Sequence, residues 1–214
     1  MTEKPPLPGL QPAKREIAGF RLLPGHLDEA DQATLVGRCR EVIRAAPLVR
    51  PRTAWGKSMS VRMTSAGRVG WVIDKGRYRY SDVHPETGQT WPPIPAEVLA
   101  VWTRVSGWPD PPDCCLLNWY DENARMGLHQ DKDEGNFEAP VVSISLGDPA
   151  RFRMGGTERG GKTQSVVLTS GDVMVMGGAA RLAYHGIDRL ITDDPPNPLT
   201  GRGRINLTLR VVAG

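Results

Sequence analysis

Two histidines and one aspartate have the residue types and the spacing of ligands for a metal ion. His129 and Asp131 are separated by one residue, and alternate side chains of a β-strand project from the same face. A strand through this segment would therefore direct an imidazole and a carboxylate toward one cation. His185, which follows the predicted strand Val173–Met176 and a Gly-Gly turn, is the third candidate ligand.

Two histidines and one carboxylate form the facial triad of non-haem iron(II) oxygenases, which leaves adjacent coordination positions open for a cosubstrate and dioxygen. Zinc sites usually use four protein ligands, or three with one open position. The competing interpretation is that His129 and Asp131 lie in a surface turn and His185 is a hydrogen-bonded core residue. His26 and His84 have no comparable neighbours, and we interpret them as structural or surface residues.

The last predicted strand carries a second set of polar side chains. Within Arg204–Arg210, four polar residues alternate with three aliphatic ones, so the polar residues share a face. Arginine offers fork-shaped, permanently charged donors to a small dicarboxylate, and either Arg204 or Arg210 is a candidate for its far carboxylate. Asn206 and Thr208 would complete the hydrogen bonds. The alternative is an ordinary solvated strand face.

The elements that must position these residues are mainly short strands. Beyond Pro112, apolar runs alternate with Gly, Pro and Asp, which is typical of β-sandwiches and barrels. The predicted strands are Cys114–Tyr120, Val141–Leu146, Arg151–Met154, Ser165–Leu168, Val173–Met176 and Arg204–Val212. In the first of them, Asn118 and Tyr120 share a face and extend the candidate dicarboxylate site.

Two helices are predicted before these strands. Apolar residues recur at helical spacing over Leu35–Ala46, with Asp28 or Asp31 as the N-cap. A second apolar stripe begins near Pro95 and stops at Gly107. We expect both helices to pack against one face of the β-structure.

The composition is that of one globular domain. The chain has 214 residues, of which 39% are hydrophobic and 24% charged, and it has no apolar run near the ~18 residues that span a bilayer. Met1–Lys14 is Pro-rich, polar and unlike a signal peptide, so we expect a mobile tail. Asp193–Arg202 is interpreted as a surface loop. Cys39, Cys114 and Cys115 lack metal-ligand spacing and are expected to be reduced core residues of a cytoplasmic protein.

Positive charge is concentrated in Arg50–Tyr80. This segment has eight basic residues and one acidic residue, a net charge of +7, although the whole chain carries only +3. Trp55, Trp71, Tyr78 and Tyr80 are interleaved with the charges. Such a segment attracts phosphates and stacks bases; the competing interpretation is a solvated face above core aromatics.

In combination, these fragments resemble the AlkB family of alkylated-nucleic-acid demethylases, with its founding bacterial member the most similar. The matching segments keep the family's order from about residue 50 to the last strand, and His129–Glu134 is the most specific of them. They are Met59–Val61 with Gly70-Trp71, Tyr78–Tyr80, Asn118 and Tyr120, His129–Glu134, Tyr184–Ile187 and Arg204–Arg210.

The resemblance implies a mainly β fold with flanking helices. Its core would be a double-stranded β-helix (jelly roll) in about residues 112–214. A nucleotide-recognition lid would occupy about residues 50–85 of a single catalytic domain, residues 15–214. One departure from the family follows Tyr120, where Asp121–Asn123 replaces a Pro-Gly turn. Because Asn tolerates the left-handed conformation, we expect the turn to be preserved.

The resemblance also implies roles for individual residues. The iron(II) ligands, which are the catalytic residues, would be His129, Asp131 and His185. The 2-oxoglutarate site would comprise Asn118, Tyr120, Arg204, Asn206 and Arg210, with Trp119, Ile205, Leu207, Thr208 and Leu209 in the same segments. The substrate-binding residues would be Trp71, Tyr78, Arg79, Tyr80, Asp133 and Arg159. Trp71 would stack on a flipped base opposite the His129 ring, and Asp133 would face the base edge.

The implied activity is oxidative demethylation of bases such as 1-methyladenine and 3-methylcytosine, with iron(II), 2-oxoglutarate and dioxygen. Its products would be succinate, carbon dioxide and formaldehyde. The implied partner is alkylated single- or double-stranded DNA, with RNA as a further candidate, and the chain would act as a monomer away from membranes. Two alternatives remain: the same chemistry on transfer RNA or another substrate, and a non-catalytic metal-binding jelly-roll module.

Overall fold

The computed structural model describes residues 14–53, 56–74, 76–192 and 195–212. Trp55, almost all of the predicted tail and the first two residues of the predicted loop Asp193–Arg202 lie outside these ranges. The two helices are α1 (Glu29–Ala45) and α2 (Ala96–Val105). The strands are β1 (Arg15–Ile17), β2 (Phe20–Leu23), β3 (Arg62–Gly67), β4 (Gly70–Asp74), β5 (Arg77–Ser81), β6 (Cys114–Tyr120), β7 (Met126–His129), β8 (Val141–Gly147), β9 (Ala150–Met154), β10 (Gln164–Leu168), β11 (Val173–Met176), β12 (His185–Leu190) and β13 (Arg204–Arg210).

Two antiparallel sheets face each other and form the predicted jelly roll. The larger sheet has the order β1-β2-β11-β8-β13-β6-β3, and the smaller sheet has the order β10-β9-β12-β7. Apolar side chains from both sheets meet between them, including Leu116 and Met174 from the larger sheet and Phe152 and Leu168 from the smaller one. The interior between the sheets is where a site would be shielded from water.

The outer face of the larger sheet is covered by both helices. Val36 and Cys39 of α1 and Trp102 of α2 pack in one cluster with Leu207 and Leu209 of β13. Because side chains alternate along a strand, the aliphatic residues of β13 face the helices and its polar residues face the interior. The predicted alternation of this strand is confirmed.

Both helices begin and end for reasons visible in the sequence. The Asp28 side chain accepts a hydrogen bond from the Asp31 backbone N–H at 2.8 Å, so Asp28 is the N-cap of α1. Pro95 precedes α2, and Gly107 follows it with a φ of 71° that favours glycine. In the described ranges, no helix is long and apolar enough to cross a membrane.

The segment predicted as a lid divides between two sheets. β4 and β5 form a separate hairpin in which Trp71 pairs with Tyr80 and Ile73 with Tyr78. β3 instead pairs with β6 at one edge of the larger sheet. The hairpin is therefore the part of this segment that stands apart from the jelly roll.

Some local expectations are corrected by the structure. The last strand ends at Arg210, two residues earlier than predicted. The turn after Tyr120 is closed by a hydrogen bond from Ala124 N–H to the Asp121 carbonyl at 2.9 Å. Ala18 is the one non-glycine residue with positive φ in the described ranges, so the expected turn is preserved without a left-handed residue at Asn123. An ordinary four-residue turn needs no such residue.

Candidate metal centre and substrate cavities

Two neighbouring strands and one loop bring the three candidate ligands together. In the antiparallel pair β7–β12, His129 lies opposite His185, and the centroids of their rings are 4.6 Å apart. The spacing of His129 and Asp131 in the sequence predicts that strand alternation places both on one face. β7 ends at His129, however, so Asp131 is positioned by the loop that follows this strand. One ligand atom from each of the three residues lies within 4.8 Å of the others.

The three side chains are oriented as a cation would require. The carbonyl of Gly127 accepts from His129 Nδ1 at 2.9 Å, and the carbonyl of Ala183 accepts from His185 Nδ1 at 3.0 Å. Because these bonds hold the ring proton of a neutral imidazole on Nδ1, Nε2 of each ring is the atom available to a metal, and it lies 3.7 Å (His129) or 3.6 Å (His185) from Asp131. Asp131 Oδ2 is buried without a hydrogen-bond partner among the described residues. This donor set fits iron(II).

The electrostatic surroundings favour the protonation states that metal binding needs. Burial, and then the neighbouring His185, lowers the pKa of His129. Burial alone would raise the pKa of Asp131, but Arg210, His185 and His129 outweigh it and hold that pKa well below its usual range. A neutral imidazole and an ionised carboxylate are therefore both available at neutral pH.

A narrow cavity extends from these ligands into the space between the sheets. Its polar lining includes Asn118, Tyr120 and all four inward residues of β13, which are Arg204, Asn206, Thr208 and Arg210. Its apolar lining includes Leu116, Phe152, Leu168, Met176 and Ile187. The cavity thus combines guanidinium donors at fixed positions with walls that exclude water.

Arg204 is a buried cation that donates to the uncharged oxygens of Asp148 (backbone), Leu168 (backbone) and Ser145. Its side chain is 0% exposed, Nη2 donates to Ser145 Oγ at 2.6 Å, and Nε has no acceptor. No carboxylate of the described residues forms an ion pair with it, and burial lowers its pKa to about 10. A buried charge of this kind is stabilised when a carboxylate reaches it. These features fit the far carboxylate of 2-oxoglutarate.

A wider, open cavity also reaches the metal ligands His129 and Asp131. Trp71, Tyr78, Asp133 and Arg159 line it, together with His129. Trp71 Nε1 donates to Asp133 Oδ2 at 2.8 Å. Tyr78 stacks on the Trp71 indole with centroids 5.4 Å apart, so one face of that indole is already covered. The cavity offers aromatic surface, a carboxylate and a guanidinium to a planar ligand.

Comparisons with known proteins agree with this geometry. Residues 19–210 match the model of the 2OG-Fe(II) oxygenase superfamily. The chain is 50% identical over 194 residues to the alpha-ketoglutarate-dependent dioxygenase AlkB homolog of Caulobacter vibrioides, covering 91% of this chain and 88% of that protein. It is 41% identical over 180 residues to Escherichia coli AlkB, covering 82% of each. The chain belongs to the AlkB family.

The fold comparison is consistent with this membership. The solved structure of OsALKBH1 superposes with a TM-score of 0.78 and 31% sequence identity, covering 94% of this chain and 100% of that one. As an AlkB-family dioxygenase, the protein uses iron(II), 2-oxoglutarate and dioxygen, and it acts on alkylated nucleic acid. The alternative of a non-catalytic metal-binding module is therefore wrong.

Four residues predicted for the 2-oxoglutarate site of this AlkB-family enzyme do not reach the narrow cavity. The side chains of Ile205, Leu207 and Leu209 pack in the helix-covered cluster, and Trp119 packs against the same cluster. Arg62 lies over the Trp119 ring at 5.9 Å. Strand alternation turns all four side chains away from the interior, so these residues belong to the segments of the site without lining the narrow cavity.

The hairpin residues of the AlkB-family lid face in different directions. Arg79 is exposed on the outer face, where Nη2 lies 3.2 Å from Asp74 Oδ2, and it does not line the open cavity. Tyr80 faces inward, and its hydroxyl donates to Glu134 and accepts from Arg210 at 3.2 Å. The structure therefore places Tyr80 beside the metal centre and not in the open cavity.

Sequence reasoning missed two charged residues that support the AlkB-family metal centre. Glu134 and Arg181 are buried, and Arg181 donates to Glu134 Oε2 at 3.2 Å and to the Asp131 carbonyl at 2.6 Å. Glu134 could have been found from the sequence, because it lies inside His129–Glu134, the most specific of the family motifs. No sequence motif indicated Arg181, because its partners are about 50 residues away in the sequence.

Proposed function

We propose that this AlkB-family enzyme repairs DNA by oxidatively removing alkyl groups from bases such as 1-methyladenine and 3-methylcytosine. The observation that carries the proposal is that the narrow and the open cavity meet at the metal ligands. Both are lined by Leu116, Met126, His129, Asp131 and Arg210. A methyl group in the open cavity and a diacid in the narrow cavity would therefore both lie next to the metal.

The protein's contribution to the reaction is to bind and orient. Bound iron(II), with 2-oxoglutarate and dioxygen, supplies the oxidation that yields succinate, carbon dioxide and, from the methyl group, formaldehyde. Arg204 would hold the far carboxylate, and Asn118 and Tyr120 would complete the hydrogen bonds around the diacid. The apolar walls of the narrow cavity exclude water from this space.

The open cavity suits a base that has left the duplex stack. A base inside a duplex cannot reach the metal centre, so the target is flipped out or already single-stranded. Stacking on an aromatic ring such as Trp71 contributes about 1–3 kcal/mol per base. Methylation at a pairing nitrogen makes 1-methyladenine cationic, and the Asp133 carboxylate at the cavity wall attracts that charge.

Only part of the basic segment is free to contact phosphates. Three of its arginines form ion pairs within the protein, and these pairs are Arg50–Asp121, Arg68–Asp113 and Arg79–Asp74. Arg52, Lys57 and Arg77 are exposed, and none of the described acidic residues pairs with them. Arg159, at the rim of the open cavity, is exposed in the same way. We assign the phosphate contacts to these four residues.

The proposal is tested by formaldehyde release. Purified protein with iron(II), 2-oxoglutarate and a 1-methyladenine DNA oligonucleotide should release one formaldehyde per repaired base, and the unmethylated oligonucleotide should release none. His185→Ala should abolish turnover at any iron(II) concentration. Formation of succinate without formaldehyde from any methylated base would contradict base demethylation while leaving the dioxygenase intact.

The choice between nucleic acids is tested by competition. Matched single-stranded DNA, double-stranded DNA and RNA oligonucleotides carrying the same methylated base are mixed, and the demethylated products are quantified. The proposal of DNA repair predicts that methylated DNA is consumed first; preferential consumption of RNA would assign the enzyme to RNA. We further propose that the protein acts as a monomer in the cytoplasm, which predicts a mass near 23.4 kDa in sedimentation.

A further inference from the structure

A closed network of buried charges surrounds the metal ligand Asp131. Arg210 Nη2 donates to Asp131 Oδ1 at 2.7 Å, and Arg210 Nη1 lies 3.5 Å from Glu134 Oε1. Arg181 donates to Glu134 Oε2 and to the Asp131 backbone carbonyl. The side chains of these four residues are at most 7% exposed. The network therefore holds Asp131 at both its side chain and its backbone.

Tyr80 is the member of this network that comes from the hairpin β4–β5. Its hydroxyl donates to Glu134 Oε1 and accepts from Arg210 Nη1 at 3.2 Å, a shorter contact than that between Arg210 Nη1 and Glu134. Tyr78, two residues earlier on the same face of the hairpin, is half-exposed, and its hydroxyl has no hydrogen bond within the described part of the chain. The two tyrosines carry the same hydroxyl group, but among the described residues only the Tyr80 hydroxyl has hydrogen-bond partners.

We propose that Tyr80 is a positioning residue for the metal centre and couples the hairpin to metal binding. Its hydroxyl fixes Arg210, and Arg210 holds Asp131 Oδ1, so that Oδ2 remains directed at the two Nε2 atoms. Without the hydroxyl, Glu134 loses a donor and Arg210 Nη1 keeps only its longer contact, which leaves buried polar groups poorly paired. Changes to groups that orient metal ligands typically weaken metal affinity about 10- to 100-fold.

The coupling acts in both directions. A hairpin that moves away removes Tyr80 from Arg210 and loosens Asp131, whereas a metal ion that fixes Asp131 keeps Arg210 and the hairpin in place. Metal and cosubstrate would therefore order the hairpin before a base enters the open cavity. This inference concerns the metal centre and holds whichever base the enzyme acts on.

The first test is the binding of Mn(II) with 2-oxoglutarate, measured by calorimetry without oxygen. Tyr80→Phe removes one oxygen atom and should weaken Mn(II) binding about 10- to 100-fold. Tyr78→Phe is the matched control, because it removes the same atom from a hydroxyl without a partner, and it should bind Mn(II) like the wild type. Equal Mn(II) affinity in Tyr80→Phe and the wild type would overturn the proposal.

A second variant separates positioning from general loss of stability. If Tyr80 acts through Arg210, adding Tyr80→Phe to Arg210→Gln should weaken Mn(II) binding by less than about twofold beyond the single Arg210→Gln variant. Fully additive losses would mean that Tyr80 affects the metal by another route and would overturn the proposal.

The coupling to the hairpin is tested by amide hydrogen exchange. In the wild type and in Tyr78→Phe, Mn(II) with 2-oxoglutarate should slow exchange in Gly70–Ser81. In Tyr80→Phe, measured at Mn(II) saturation, this slowing should be lost. Equal slowing in Tyr80→Phe would show that the hairpin is ordered independently of Tyr80.

Discussion

At the scale of single residues, Arg204 and Arg210 share a face of β13 but have different partners. Arg210 is paired with Asp131 and lies close to Glu134, whereas Arg204 has no carboxylate partner among the described residues. Strand alternation was sufficient to place both arginines in the interior. It was not sufficient to separate their roles, because the acidic partners of Arg210 come from a loop that is distant in sequence.

We predict that Arg204→Gln raises the KM for 2-oxoglutarate about 10- to 100-fold. A hydrogen bond to a charged group contributes about 1.5–3 kcal/mol, and every 1.4 kcal/mol corresponds to about a tenfold change in affinity. Saturating 2-oxoglutarate should restore much of the turnover. Arg151→Gln, the same change at an exposed arginine of β9, is the control and should leave this KM unchanged. An unaltered KM in Arg204→Gln would assign the far carboxylate to another donor.

A second prediction at this scale concerns the charge of Asp133. Asp133→Asn keeps an oxygen that can accept from Trp71 Nε1 but removes the negative charge. Charges about 4 Å apart interact by about 1–4 kcal/mol at the effective dielectric constants of protein surfaces and water. We expect kcat/KM for cationic 1-methyladenine to fall about tenfold more than kcat/KM for a neutral etheno adduct. Equal losses on both lesions, measured by formaldehyde release or product chromatography, would remove Asp133 from charge recognition.

At the scale of secondary-structure elements, the metal centre depends on how closely β7 and β12 approach each other. Gly186 follows His185 in β12, and a Cβ placed there would lie 2.5 Å from the Met126 carbonyl oxygen and 2.8 Å from the Gly127 carbonyl oxygen. These are backbone atoms of β7, which cannot move without shifting His129. Glycine at this position therefore sets the spacing of the two histidines.

We predict that Gly186→Ala weakens Mn(II) binding about 10- to 100-fold, the range for changes that misplace metal ligands. Gly127→Ala is the matched control, because a Cβ at Gly127 has no atom within 4 Å and its φ is not positive. The control should bind Mn(II) like the wild type. Retention of full affinity by Gly186→Ala would mean that the strands tolerate separation and that their close approach is not required.

Elements could be predicted from the sequence in proportion to the strength of their patterns. The helices and the strands β6, β8, β11 and β13 were predicted because their apolar patterns are regular. β7 and β12 were missed as strands, although each carries a metal ligand. β7 has four residues including Gly127, and β12 begins with His185-Gly186. Such short and polar segments are strands because their neighbours in the sheet supply the hydrogen bonds.

At the scale of the whole molecule, the jelly roll places two different cavities next to one metal centre. The family resemblance correctly predicted the fold and the convergence of His129 and Asp131 with His185, which lies 54 residues after Asp131 in the sequence. It did not reveal that Tyr80 contacts the network behind Asp131. That contact depends on where the separate hairpin lies against the larger sheet, which no local pattern encodes.

The most direct test of this account is a crystal structure of the protein grown without oxygen in the presence of Mn(II) and 2-oxoglutarate. We predict one Mn(II) bound by Nε2 of His129, Nε2 of His185 and the Asp131 carboxylate. The diacid should lie in the narrow cavity with its far carboxylate on Arg204, leaving the cavity beside Trp71 open. A metal bound elsewhere, or a diacid lying in the open cavity, would contradict the account.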